Sequence, residues 1–95
     1  MRSETVVEEF KTQRVTVGTS PIRIGLEGTS KLYRGVWVKA LSTNGNIVYV
    51  GMDNQAVTNG YELAAGESIL IPIDLLEKVW AEAGAANQVI CLLFA

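Results

Sequence analysis

The sequence contains no histidine, one cysteine and two prolines, and its charged residues make up only 19% of the chain. Each shortage removes a class of function. Without histidine there is no imidazole to serve as general base beside a serine or cysteine nucleophile. Cys91 has no partner for an internal disulfide and lies in the apolar run VICLLF, where a free thiol behaves as a small hydrophobe, so it is expected to be buried. Such a chain is expected in a reducing cytoplasm, or released from one. The eight Lys and Arg residues are scattered from Arg2 to Lys78 and the formal net charge is −2, which excludes the clustered cations that nucleic-acid binding requires. No apolar run approaches the roughly 20 residues of a membrane-spanning helix, and the opening Met1-Arg2-Ser3-Glu4-Thr5 does not read as a secretion signal. Glu62 and Glu67 are near in sequence and could form a glycosidase-like carboxylate pair, but both flank a turn, where solvated glutamate is ordinary. We therefore expect no enzyme, no catalytic residue, no metal ligands and no cofactor, and neither nucleic acid nor membrane as a partner.

What the chain does have is apolar material. Hydrophobic residues make up 48% of it and the mean hydropathy is +0.23. A domain of 95 residues buries only about 60–65% of the surface its unfolded chain exposes, so part of that apolar material stays outside, where contiguous patches mark interaction sites. The composition speaks for binding or assembly.

The pattern along the chain is all-β. Residues 1–13 mix charge with Val6, Val7 and Phe10 and carry no turn signals; they read either as an arm lying on a neighbour or as a first strand docked on its own sheet, and residues 14–95 as one domain. Because charges are costly to bury without partners, this segment is expected to serve partner binding more than fold stability. Val15 and Val17 alternate with polar residues, as do Ile22, Ile24 and Leu26, which is the period of half-buried strands. Gly35 to Leu41 is a third such run. Thr43-Asn44-Gly45-Asn46 predicts a tight hairpin, since both central residues tolerate positive φ, with Ile47 to Gly51 as the returning strand. Met52 to Gly60 is a polar loop and Leu63 to Gly66 a turn. In the strand after it Ile69, Ile71 and Ile73 share a face, and Pro72 places it at an edge or a bulge. Asp74 to Lys78 reads as a turn, or as one helical turn capped by Asp74. Val79 to Ala83 is a strand in preference to a helix, Gly84 to Asn87 a turn, and Val89 to Phe94 a last strand apolar on both faces, hence central in its sheet.

About seven short strands with closely spaced turns describe one antiparallel β-sandwich or jelly-roll-like domain. The expected core is Ile22, Ile24, Val36, Val38, Ile47, Tyr49, Ile69, Ile71, Val79, Val89 and Cys91. Trp37 and Trp80 lie inside strand patterns and are expected in the core, as large aromatics usually are.

Four segments in order carry a resemblance. GVWVKAL leads into the Asn/Gly turn and IVYVG follows it; GYELAAGES precedes the Ile-rich strand, and KVWAEAGAAN precedes the final apolar strand. This series, over residues 33–95, resembles a small β-domain that recurs in virion proteins of tailed bacteriophages, among them head-decoration, head-fibre and tail-associated proteins. The resemblance brings no catalytic residues. It implies a structural protein of the virion, made in the host cytoplasm, whose leading form is a capsid decoration (cement) protein binding neighbouring subunits of the major capsid protein. It also implies a homo-oligomer, with a trimer the expected form because decoration proteins of this kind often sit on threefold positions. Partner-binding residues are expected at Val6, Val7 and Phe10 in the leading segment and at Leu92 and Phe94 in the two-faced last strand. The alternative is a carbohydrate- or receptor-binding module of a tail or fibre, with Tyr33, Trp37, Tyr49, Tyr61 and Trp80 as a sugar-stacking face.

Overall fold

A computed structural model of the chain describes residues 10–25, 32, 35–52 and 60–94. They form eight strands: β1 (Lys11–Val17), β2 (Ile22–Arg23), β3 (Val36–Ala40), β4 (Val48–Met52), β5 (Tyr61–Leu63), β6 (Ser68–Ile71), β7 (Val79–Ala83) and β8 (Gln88–Phe94), with a single 3₁₀ turn, Leu76–Lys78, before β7. Two four-stranded antiparallel sheets result, ordered β1-β8-β3-β6 and β2-β7-β4-β5. The pairing is nested. β1 pairs β8, β2 pairs β7, β3 pairs β6 and β4 pairs β5, so the chain is one long antiparallel ribbon rolled into two layers. That is the jelly-roll arrangement of eight strands, and the all-β sandwich expected from the turn rhythm is what forms.

The core fills the space between the layers. Strand β3 reads buried, exposed, buried, exposed, buried along Val36-Trp37-Val38-Lys39-Ala40, the period-2 pattern of a strand with one face inside. Val36 and Val38 are inside and Lys39 outside, as the sequence indicates. Val17, Ile24, Leu32, Val48, Val50, Leu63, Leu76, Val79, Ile90 and Leu92 complete most of the interior, with Ile22, Ile69, Ile71, Ile73 and Phe94 packed partly buried against it. β8 lies between β1 and β3, and β6 is an edge strand that ends just before Pro72. Both placements follow the sequence pattern.

Four expectations need correction. Asn44-Gly45 does not turn a hairpin: β3 and β4 belong to different sheets, and the turn carries the chain from one layer to the other. Positive φ occurs at Gly35, Gly66 and Asn87 among the described residues, not at this turn. Instead Asn44 reaches β8, accepting a hydrogen bond from the Val89 N–H (2.9 Å) and donating one to the Val89 carbonyl (2.9 Å). Second, the facing of β4 and β8 is the reverse of the expected one. Val48, Val50, Ile90 and Leu92 point inward, while Tyr49, Val89 and Cys91 are half-buried on the outer faces. Both runs are apolar at every other position on either face, so alternation alone carries no sign. Third, neither tryptophan is core: Trp37 stands 48% exposed on the outside of its sheet, and Trp80 is half-buried on the outer face of the other. Fourth, the residue that enters the 3₁₀ turn is Leu75, with no side-chain cap; the Asp74 carboxylate accepts a hydrogen bond from Lys78 Nζ at 2.9 Å.

Val6 and Val7 lie outside the described residues. Lys11, Thr12 and Gln13 are the first half of β1, opposite Phe94, Leu93 and Leu92 of the same chain. That part of the leading segment therefore holds its own sheet together.

Candidate functional site

The outer face of the β1-β8-β3-β6 sheet is built by register. Residues opposite one another on paired strands share a face. Thr12 stands opposite Leu93, Leu93 opposite Trp37 and Trp37 opposite Leu70, so one row crosses all four strands. Three members of it are exposed large hydrophobics: Trp37 (48%), Leu93 (39%) and Leu70 (38%). The next row along the strands runs Arg14, Cys91, Lys39, Ser68. The two rows share a shallow concavity of about 620 Å³ whose lining includes Thr12, Arg14, Trp37, Lys39, Cys91 and Leu93. This is an apolar stripe beside a pair of cations, open to solvent. Its side chains include no nucleophile–base pair.

The outer face of the other sheet differs in kind. Tyr49 stands between Glu82 and Glu62, and Trp80 between Arg23 and Gly51. The Arg23 guanidinium lies 5.4 Å from the centroid of the Trp80 ring, a cation–π contact. The aromatics considered for sugar stacking are thus divided. Trp37 faces out of one sheet, and Trp80 and Tyr49 out of the other. Tyr61 is exposed (58%) on β5, and Tyr33 lies outside the described residues.

Of the partner-binding residues expected from sequence, Phe10 is 65% exposed next to β1. Leu92 is 1% exposed, with its side chain turned into the core, and Phe94 packs partly buried against the core. The apolar residues of β8 that do face outward are its odd-numbered ones, with Leu93 the most exposed. The register slip of one residue moved the expectation from the outer face to the inner. A signal was available: Thr12, Arg14 and Thr16 are the polar half of β1, and whatever β8 residues pair with them share their outward face.

The carboxylates of the described residues are spread across the molecule, and no group of three or more His, Cys, Asp or Glu there could hold a metal ion. One carboxyl is shifted: the hydrogen bond and charge of Lys78 hold Asp74 below its usual value of 3.8. It lies on the connection between β6 and β7, away from both rows. The chain matches no protein-family model, no curated protein and no solved structure.

Proposed function

We propose that this chain is a non-enzymatic structural protein of a tailed-bacteriophage virion, a capsid decoration protein that self-associates and holds neighbouring subunits of the major capsid protein. The observation that carries this reading is the Trp37–Leu93–Leu70 row. Three large apolar side chains are held in register on a solvent-facing sheet that folding alone does not require to be apolar, and patches of this kind mark protein contacts. Many copies acting together would convert modest individual contacts into firm attachment. The jelly-roll topology accords with the reading, since capsid proteins and lectins use it, but a fold does not set a function. The resemblance of residues 33–95 to phage virion domains supplies the location, and a trimer is the proposed form of the oligomer.

The test is imaging of intact particles made with and without this protein. Regular density that disappears with the gene, together with particles that lose stability, is the expected result. Particles that neither contain the chain nor change when it is deleted would overturn the reading.

A second reading has one observation in its favour. Trp37 stands exposed in a concavity beside Arg14, Lys39 and Ser68, as a ring that stacks on a sugar would. Specific retention of the wild-type protein, and not of Trp37→Ala, on a carbohydrate array would favour a glycan-binding module. The separation of Trp37 from Trp80 and Tyr49 on opposite faces weighs against it.

A further inference from the structure

The two outer faces of the sandwich carry opposite charge at matching spacing. On the first, Arg14 and Lys39 both stand opposite Cys91, one on each flanking strand. On the second, Glu82 and Glu62 both stand opposite Tyr49, again one on each flanking strand. In each case the two charged residues are two strands apart, about 9–10 Å. The first face has no carboxylate among its described outward residues, in a chain of formal net charge −2. None of the four charged residues is ion-paired with a described residue. The cation on the second face, Arg23, is laid over Trp80, in the row beside the two glutamates.

We propose that the outer face of the β1-β8-β3-β6 sheet docks on the outer face of the β2-β7-β4-β5 sheet of a second copy of this chain, with Arg14 and Lys39 meeting Glu62 and Glu82. This rests on the reading of the Trp37 face as a protein-contact surface, and names its occupant. With the charged rows superposed, one of the two orientations related by a half-turn brings Leu93, in the column of Cys91, over the small Gly51, in the column of Tyr49, where an apolar side chain has room to lie. Apolar contact supplies the binding and the paired charges supply register and partner choice. The contact is heterologous: each copy offers one face to one neighbour and its other face to the next. The two outer faces of a two-layer sandwich point in opposite directions, so repeated contacts of this kind stack copies into a chain and are distinct from the closed contact of the proposed trimer. Association then does not stop at a pair.

The experiment is sedimentation velocity on the full chain over a range of concentration and salt. Two charge-reversed variants, Arg14→Glu/Lys39→Glu and Glu62→Lys/Glu82→Lys, are run alone and mixed, and circular dichroism confirms that each is folded. The wild type is expected to associate beyond a dimer at low salt. Raising the salt, which shortens the Debye length from about 10 Å at 0.1 M to about 3 Å at 1 M, is expected to shift it back toward monomer. Each variant alone presents like charges on both faces and is expected to sediment as a monomer. The equimolar mixture restores complementary faces at both contacts and is expected to regain wild-type behaviour. A folded mixture that stays monomeric, a variant that associates as the wild type does, or a wild type that is monomeric throughout would each overturn the proposal. A monomeric wild type that still attaches to particles would remove the self-docking alone, whereas a self-associating protein absent from particles would remove the virion reading alone.

Discussion

Asn44 and Val89 are joined by two hydrogen bonds of 2.9 Å each, the Asn44 amide accepting from the Val89 N–H and donating to the Val89 carbonyl. A side chain here does what a neighbouring strand would do, so the turn can leave the sheet without stranding the backbone of β8. Replacing Asn44 by Ala unpairs the partly buried Val89 N–H, while the Val89 carbonyl keeps the Leu41 N–H at 3.0 Å, and is expected to cost about 1–3 kcal/mol. Asn44→Asp keeps the acceptor but sets a carboxylate against the Val89 carbonyl, so it should not rescue. Urea unfolding of the two variants beside the wild type checks this.

Gly35 and Gly45 should answer very differently to the same substitution. Gly35 has φ +109°, and a Cβ there would collide with the Ile71 carbonyl oxygen. Gly35→Ala is expected to destabilise by at least about 3 kcal/mol, combining backbone strain with a clash against β6. Nothing lies within 4 Å of a Cβ at Gly45, and Gly45→Ala is expected to change stability by less than about 0.5 kcal/mol. Thermal melts of both would separate this account from one in which the Asn-Gly turn needs positive φ.

The inner and outer faces of the β1-β8-β3-β6 sheet can be told apart by truncation. Leu92→Ala removes a core side chain and is expected to cost about 2–5 kcal/mol. Trp37→Ala takes away an exposed ring and is expected to cost well under half of that in isolated protein. Equal losses in denaturant unfolding would mean that Trp37 belongs to the core after all.

Removing residues 1–13 is expected to weaken the fold. Of the seven register positions by which the outer strand β1 covers β8, Lys11–Gln13 supply the three opposite Leu92–Phe94, so their loss bares an edge of β8. The melting temperature of the deletion variant should fall measurably. An unchanged value would return those three residues to the role of a free arm.

Lowered below 3.8 by Lys78, the Asp74 carboxyl contributes stability that is present above that value and lost as the pH falls through its folded value. Both side chains are largely solvated, at 43% and 67% exposure, so the effect is small and weakened by salt. Asp74→Asn should lower stability slightly at neutral pH and leave it unchanged well below 3.8; the same deficit at both ends of the pH range would contradict the assignment.

Much of the fold was legible because its strands obey a simple alternation. Val36, Val38 and Lys39 declare their faces without ambiguity, and the run from Val89 to Phe94, apolar on both sides, is central in its sheet between β1 and β3. The pattern fails where both faces are apolar, as in Ile47-Val48-Tyr49-Val50, since a period of two then has no phase. It fails again at Asn44-Gly45, where local turn chemistry favours a hairpin but the nested pairing of distant strands sends β4 to the other layer. The contact face was hidden for a related reason. Trp37 looks like core in one dimension, and only the register with Leu93 and Leu70 shows that three apolar side chains meet outside. Trp37 therefore reports on the central claim directly. Hydroxyl-radical footprinting of Trp37, in dilute isolated protein and in intact virions, should show it reactive in the first and protected in the second. Equal reactivity in both states, in particles that contain the chain, would contradict the assignment of this face to protein contact.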